Sequence, residues 1–332
     1  VEGVVFQFAL EKADTVLVIT HVDPDGDAIG SLTAVGQALE QLGKRVTLAC
    51  EDSVPVRFRG LPLADRVTKS PDTHTPYDLL VAVDCGDEMR MGRPFFALPE
   101  PKPSIVNIDH HITNTRFGSF NLIEPDASST CEMLYGLFVE LDVTITEGIA
   151  ESLLTGIITD TISFRTSNVS ANTLRTAADL VEAGAEMAPL ALRSLILKPH
   201  STALVWQVGL KNMQLADGLL WTTVPAADMR HAGLEGSPSS SGLVNFLSDI
   251  EDVKMGCVLS EMPDGSVRVG LRCHEPYNVA EVALQFDGGG HALAAGCTMD
   301  GPLEEAEAQI VAACQDAIRR QTAAAHATPT VR

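Results

Sequence analysis

Four short apolar runs divide the first third of the chain: Thr15–Thr20 (TVLVIT), Arg45–Cys50 (RVTLAC), Asp78–Val83 (DLLVAV) and Ser104–Ile108 (SIVNI). They are aliphatic or β-branched at most positions, the texture of strands buried on both faces, and such strands occur in parallel sheets whose crossovers are helices. Between the first two runs, Ala28, Ile29, Ala34, Val35, Ala38, Leu39 and Leu42 recur at helical spacing. The unit reads strand, loop, helix, strand, and the predicted first domain is a doubly wound α/β fold. Ligands of such sheets gather outside the carboxyl ends of the strands. Three of the runs stop there against ligand-type side chains: His21 after the first, Asp84 after the third, Asp109-His110-His111 after the fourth. Residues distant in sequence would converge on one rim.

Beyond Asp109 the spacing predicts helices over Ser128–Leu141, Glu147–Thr159 and Ser170–Ala183, the last closed by Gly184. Glu186–His200 reads as a linking helix stopped by Pro199. The texture then changes. Asp217-Gly218 and Asp264-Gly265 sit between apolar runs as hairpin turns do, which predicts a smaller α+β domain with a mainly antiparallel sheet. Ser237–Ser241 reads as a loop and the tail from Gln321 as disordered. The expected division is 1–185, a linking helix at 186–203, a second domain at 204–320 and a tail at 321–332, with a cleft between the two domains.

Charge narrows the partners. Lys and Arg number 23 against 44 Asp and Glu, a net charge of −21. Most of such a surface repels a long polyanion, so long duplex nucleic acid is not expected and a nucleic-acid substrate should be short. No apolar run approaches the roughly 20 residues of a membrane helix, and Glu2 with no basic start argues against a signal peptide, so the expectation is a cytoplasmic protein without membrane contact. Seven cysteines without a Cys-x-x-Cys spacing read as reduced, mostly buried thiols with no metal role.

The loop His21-Val-Asp-Pro-Asp25-Gly-Asp27 places three ligand-type side chains within seven residues, with Pro24 and Gly26 shaping the turn. An equally ordinary reading makes Asp25 or Asp27 a helix N-cap. Asp84 alone would pass for a strand-end aspartate. Adjacent histidines at a strand end are less ordinary, and Asp109 beside them can orient an imidazole. Asp160 ends a predicted helix, where the dipole disfavours a carboxylate unless a positive charge compensates it. Carboxylates and imidazoles in this number suit a pair of divalent ions sharing one carboxylate.

The order His-x-x-x-Asp-x-Asp, Asp, Asp-His-His, Asp resembles the DHH phosphoesterase family. Further landmarks are Asn114 to Gly118, Ser128-Ser-Thr130 and Thr159-Asp-Thr-Ile-Ser-Phe-Arg165, and Gly288-Gly289-Gly290-His291 resembles the glycine-rich loop of its DHH-associated domain. The resemblance implies two divalent ions, Mn²⁺ with Mg²⁺ or Co²⁺ as alternatives. His21, Asp25 and Asp84 would hold one, and Asp27, Asp84, His110 and Asp160 the other, with Asp84 bridging. Water activated between them would attack phosphorus in line. His111 would meet the scissile phosphate or leaving oxygen; Asp84, His111 and Asp109 make the catalytic set. Arg272, the three loop glycines, His291, Asn114 and Ser31 are the implied substrate contacts, although an arginine at a strand end, a glycine run and a helix-start serine each have plain structural readings.

The implied activity is that of the nanoRNases and pAp phosphatases, on short RNA oligonucleotides and 3′-phosphoadenosine 5′-phosphate, with homodimers common in the class. A phosphodiesterase of c-di-AMP or pApA is the alternative, then a RecJ-like exonuclease; a binding protein that has lost catalysis would show a broken ligand set. The chain departs from the family pattern at Ile162, Asp287 and Ala292, where glycine, a fourth loop glycine and a basic residue are usual. The expected consequences are an altered loop after Asp160 and a weaker phosphate loop.

Overall fold

The computed structural model describes residues 2–74, 76–232 and 242–327. It divides into two compact units, 1–197 and 198–332. In the first, β1 (Thr15–Ile19), β2 (Arg45–Ala49), β3 (Leu79–Val83), β4 (Ser104–Asp109) and β5 (Phe120–Ile123) form a wholly parallel sheet in the order β2-β1-β3-β4-β5. Side chains alternate across a strand. Val16, Val18, Val81, Val83 and Val106 therefore face one layer, while Leu17, Ile19, Leu80 and Ala82 face the other.

The larger layer contains α1 (Glu2–Glu11), α2 (Gly26–Gln41), α4 (Thr130–Glu140), α5 (Glu147–Asp160) and α6 (Ala171–Glu182); α3 (Arg93–Phe96) contributes Phe95 to the smaller one. Helices α2 and α5 cross closely because Gly30 and Gly156 lie at the contact. A Cβ on Gly30 would strike the Ser152 carbonyl, and one on Gly156 the side chains of Asp27 and Cys131. This crossing brings the start of α2 beside the end of α5.

The linker differs from the expected single helix. α7 (Met187–Ala191) runs into a π-helical turn at Leu192–Ile196, and Pro199 does not stop a helix but precedes a new one, α8 (His200–Lys211). Its φ of −56° already matches the first turn. The second unit carries a six-stranded sheet from β6 (Gln214–Ala216), β7 (Leu219–Val224), β8 (Met255–Glu261), β9 (Val267–Cys273), β10 (Gly289–His291) and β11 (Ala294–Met299), in the order β10-β11-β9-β8-β7-β6. It is antiparallel apart from β7 against β8. One hairpin turns at Asp217-Gly218, both at positive φ as a tight primed turn requires.

One face of this sheet packs on α8, α9 (Ala226–His231) and α10 (Leu243–Ser248), the other on α11 (Ala280–Ala283) and α12 (Leu303–Ala327). α12 continues to Ala327, into the segment expected to be disordered. Gln321 accepts from the Asn278 N–H and donates to its carbonyl, and Thr322 meets the Tyr277 hydroxyl, so these polar residues hold a helix end in place. The expected loop at Ser237–Ser241 and residues 328–332 lie outside the described residues. All seven cysteines are free and buried. No described helix is long and apolar enough to cross a membrane.

Candidate metal centre

Parallel register sets the site. Ile19 pairs with Ala82 and Ala82 with Asn107. Carried on by two residues, that register places His21, Asp84 and Asp109 side by side on three neighbouring strands. From β1 the chain winds outward to β2 on one side and to β3 on the other, so the rim above β1 and β3 is the crevice where such sheets collect ligands. Asp84 occupies the left-handed region at φ 58°, a costly conformation for a residue with a Cβ. Its N–H donates to Ile108 O, and the Thr130 hydroxyl donates to Asp84 Oδ1 at 3.0 Å.

Asp25 does cap α2. Its Oδ1 accepts from the N–H groups of Asp27 and Ala28, and the same oxygen lies 4.0 Å from His21 Nε2, so capping and ligation are compatible. Asp27 is fully buried. Its two oxygens accept from the N–H groups of Thr130 (2.7 Å) and Cys131 (3.0 Å) at the first turn of α4. Those amides lack intrahelical partners and the helix dipole favours a negative charge there.

Around Asp84 the candidate ligands gather in three groups: His21 with Asp25 and Asp84; Asp27 with His110 and Asp160; and Asp84 with His110 and His111. His21 Nε2 is 3.4 Å from Asp84 Oδ2. His110 Nε2 lies 3.1 Å from Asp160 Oδ2 and 3.9 Å from both Asp27 Oδ2 and Asp84 Oδ1, yet it is buried and aligned for a hydrogen bond with none of them. Its Nδ1 faces the Ala127 carbonyl at 3.3 Å, a contact that keeps a proton on Nδ1 and leaves Nε2 to give its lone pair to a cation once its own proton is displaced. A buried imidazole nitrogen without a hydrogen-bond partner among three carboxylates fits a divalent cation, and the imidazole and carboxylate donors suit Mn²⁺, Mg²⁺ or Co²⁺.

Electrostatics agree with that fit. Burial opposes charge on His110, but Asp160, Asp27 and Asp84 outweigh it and hold its pKa at about 10. Asp27 is pushed well up by burial and by the charges of Asp84 and Asp160. Burial, then Asp25 and Asp84, raises Asp160 to about 6 despite His110. Asp84 is burdened by burial but held below the usual carboxylate range by His21, His110 and His111. The protons that these crowded carboxylates and imidazoles share are what a cation would replace.

His111 has a different partner. Its Nδ1 lies 2.7 Å from Asp109 Oδ1, and Asn114 Nδ2 donates to Asp109 Oδ2 at 2.5 Å, so buried Asp109 orients the ring. Asn114 also donates to Cys85 O and accepts from Asn107 and the Arg116 N–H. Expected as a substrate contact, partly buried Asn114 also braces Asp109. Ser31 is displaced from that expectation: it is fully buried and donates to Ala28 O in its own helix. Thr130 and Arg90 carried no role in the sequence reading. Thr130 lies in the quoted Ser128–Thr130 landmark, whereas no local signal marks Arg90.

In the second unit, Arg272 pairs across the sheet with Gly256 and Ala294, and its Nη1 donates to Leu271 O. In the glycine loop, a Cβ on Gly288 or Gly290 would strike β11, while Gly289 faces open space. Two of the three glycines are therefore required by the close approach to β11. The unusual residues adopt glycine-like backbones: Asp287 at φ 54° and Ile162 at φ 48°. The loop after Asp160 thus follows a path that glycine would favour, held by Thr161 Oγ1, which accepts from the Phe164 N–H.

The DHH family N-terminal domain matches residues 15–157, and the DHHA1 domain matches residues 235–320. The bifunctional oligoribonuclease and PAP phosphatase NrnA of Thermus thermophilus is 34% identical over 308 residues, 92% of this chain and 90% of that protein. The protein of the same name from Bacillus subtilis is 26% identical over 86% of this chain and 90% of its own. Among solved structures, an exopolyphosphatase-related protein from Bacteroides fragilis shares the fold, with a TM-score of 0.88 at 22% identity over 97% of both chains. With its His and Asp residues gathered on one sheet rim and its sequence matched along nine-tenths of a relative, the chain belongs to the DHH family of metal-dependent phosphoesterases and is a hydrolase.

Proposed function

We propose that this phosphoesterase cleaves oligoribonucleotides of a few residues and removes phosphate from 3′-phosphoadenosine 5′-phosphate, in the cytoplasm, with two Mn²⁺ ions. The observation that carries the reading is Asp84, which lies between His21 and His110 with a different oxygen turned to each. The names of the Thermus thermophilus and Bacillus subtilis relatives combine these two activities. His21, Asp25 and Asp84 would hold one ion, and Asp27, Asp84, His110 and Asp160 the other. Bound there, the ions neutralise charge on the phosphoryl group and lower the pKa of water.

The chain's own residues supply the rest. The first turn of α4 holds Asp27, and the Thr130 hydroxyl holds Asp84, so neither carboxylate must reorganise during the reaction. His111, oriented by Asp109, serves the scissile phosphate or the leaving oxygen. Arg272, Gly289 and His291 act on a part of the substrate that does not react, where binding still raises turnover by positioning.

The test is incubation with Mn²⁺ against di- to octaribonucleotides, pAp, c-di-AMP and pyrophosphate, beside Asp84→Ala. The expected result is turnover of the shortest RNAs and of pAp, reduced more than about tenfold in the variant, since a shared ligand contributes several kcal/mol of transition-state stabilisation. Preference for c-di-AMP, or activity on pyrophosphate alone, would replace this reading.

A further inference from the structure

Arg90 lies on a short 3-10 turn, Glu88–Met91, that follows Asp84. The turn is fixed at both ends. Asp87 caps it by accepting the Arg90 N–H at 3.1 Å, and the Arg90 carbonyl accepts the Val22 N–H at 2.8 Å, next to His21. The guanidinium is thereby delivered to one place, with Nη2 3.0 Å from His21 Nδ1. That nitrogen also faces the carbonyl of Val22 at 2.7 Å. A ring nitrogen that meets a donor and an acceptor serves one at a time.

Histidines that give Nε2 to a metal give their Nδ1–H to a carbonyl or carboxylate. Here the Val22 carbonyl is already in position for that role. With it engaged, Arg90 has no acceptor left on His21, and a guanidinium beside a cation centre needs an anion between them. A phosphate oxygen pair matches its planar fork.

We propose that Arg90 is a phosphate-binding residue of this site: the capped turn holds its guanidinium beside His21, and with His21 Nδ1–H given to the Val22 carbonyl its fork would be available to the substrate phosphate. The proposal rests on the phosphoesterase reading above and adds a positive group to a site otherwise built from carboxylates and imidazoles. It also couples metal loading to substrate capture through one side chain: an ion held by His21 Nε2 would keep the proton on Nδ1, where the Arg90 contact needs a lone pair, so the ion and the Arg90–His21 contact would oppose each other and Arg90 would be left to the phosphate.

Three measurements on wild type, Arg90→Ala and Arg90→Lys test it, with thermal melts to establish that each is folded. Calorimetric Mn²⁺ titration without nucleotide should show Arg90→Ala binding roughly two- to tenfold tighter, the range of one net hydrogen bond. Binding of inorganic phosphate to the Mn²⁺-loaded protein should weaken roughly tenfold or more in Arg90→Ala, the range of a charge-assisted hydrogen bond, and only partly recover in Arg90→Lys, which keeps the charge but not the fork. The kcat/KM for pAp should fall in parallel. Phosphate binding unchanged within twofold, or weaker Mn²⁺ binding in Arg90→Ala, overturns the proposal. Wild type that binds phosphate through Arg90 yet turns over neither pAp nor dinucleotides would instead overturn the substrate reading and leave Arg90 as an anion site.

Discussion

His110 and His111 are neighbours in the chain with ring centroids 4.7 Å apart, but their contacts diverge. His110 points among Asp27, Asp84 and Asp160, whereas His111 is tied to Asp109. Consecutive residues leaving a strand project to different sides, so only one of the pair enters the carboxylate cluster deeply. His110→Ala should therefore weaken Mn²⁺ binding, while His111→Ala should bind Mn²⁺ normally and lose about 10²- to 10⁴-fold in turnover, the range of a general acid or base. Proton release separates them further. With its pKa raised to about 10, His110 holds a proton at neutral pH that a cation must expel, so Mn²⁺ affinity rises with pH. Titrations in buffers of different ionisation enthalpy should show that release in wild type and His111→Ala and a smaller one in His110→Ala. Equal loss of metal in both variants would contradict the division.

Elements place these residues by their ends. α2 begins at the cluster, α4 aims its first turn at Asp27, and α5 delivers Asp160 from its last residue. An aspartate at a helix C-terminus is unfavourable, and the opposite ends of three helices meeting around one cluster offset part of that cost. After α5 the chain makes a left-handed turn through Ile162, Ser163 and Phe164, at φ 48°, 56° and 63°. The conformation costs about 1–2 kcal/mol per non-glycine residue, most for a β-branched one. Ile162 is 40% exposed and belongs to none of the hydrophobic core clusters of the described residues. Ile162→Gly should thus stabilise the protein by roughly 0.5–1 kcal/mol in urea unfolding and leave Mn²⁺ affinity unchanged. Destabilisation beyond about 1 kcal/mol would mean that contacts of the isoleucine outweigh the strain it bears.

At the scale of the molecule the dominant quantity is charge. A net −21 repels a long strand, and the proposed phosphate contacts, Arg90 and Arg272, are too few for a basic track. Ribonucleotides of about two to four residues should be cleaved faster than a strand of about 24, at low salt as well as high, with a shallow dependence of affinity on salt because few counterions are released. Cleavage of both lengths across a salt series measures this. Faster turnover of the long strand with a steep salt dependence would indicate a processive exonuclease.

The strands of the first sheet were legible because a parallel sheet buried on both faces demands uninterrupted apolar runs, and His21, Asp84 and Asp109 were legible because a strand end is where such a run must stop. The hairpins of the second unit announced themselves by Asp-Gly turns for a similarly local reason. α12 beyond Gln321 was not legible, since it is held by Asn278 and Tyr277, which lie far away in sequence, and neither was the helix that restarts after Pro199, whose end is tied to Thr222 and Thr223 of β7. The same holds within the site. Ser31 looks like a ligand contact in one dimension, but packing buries it; the bonds of Asn114 around Asp109 appear only in the fold, and Arg90 has no motif at all until the Val22 N–H fastens its turn beside His21. Which residue types meet a metal is a property of chemistry and strand ends. Which atoms face one another depends on the register between strands and the close crossing of α2 and α5, and tertiary packing alone decides those.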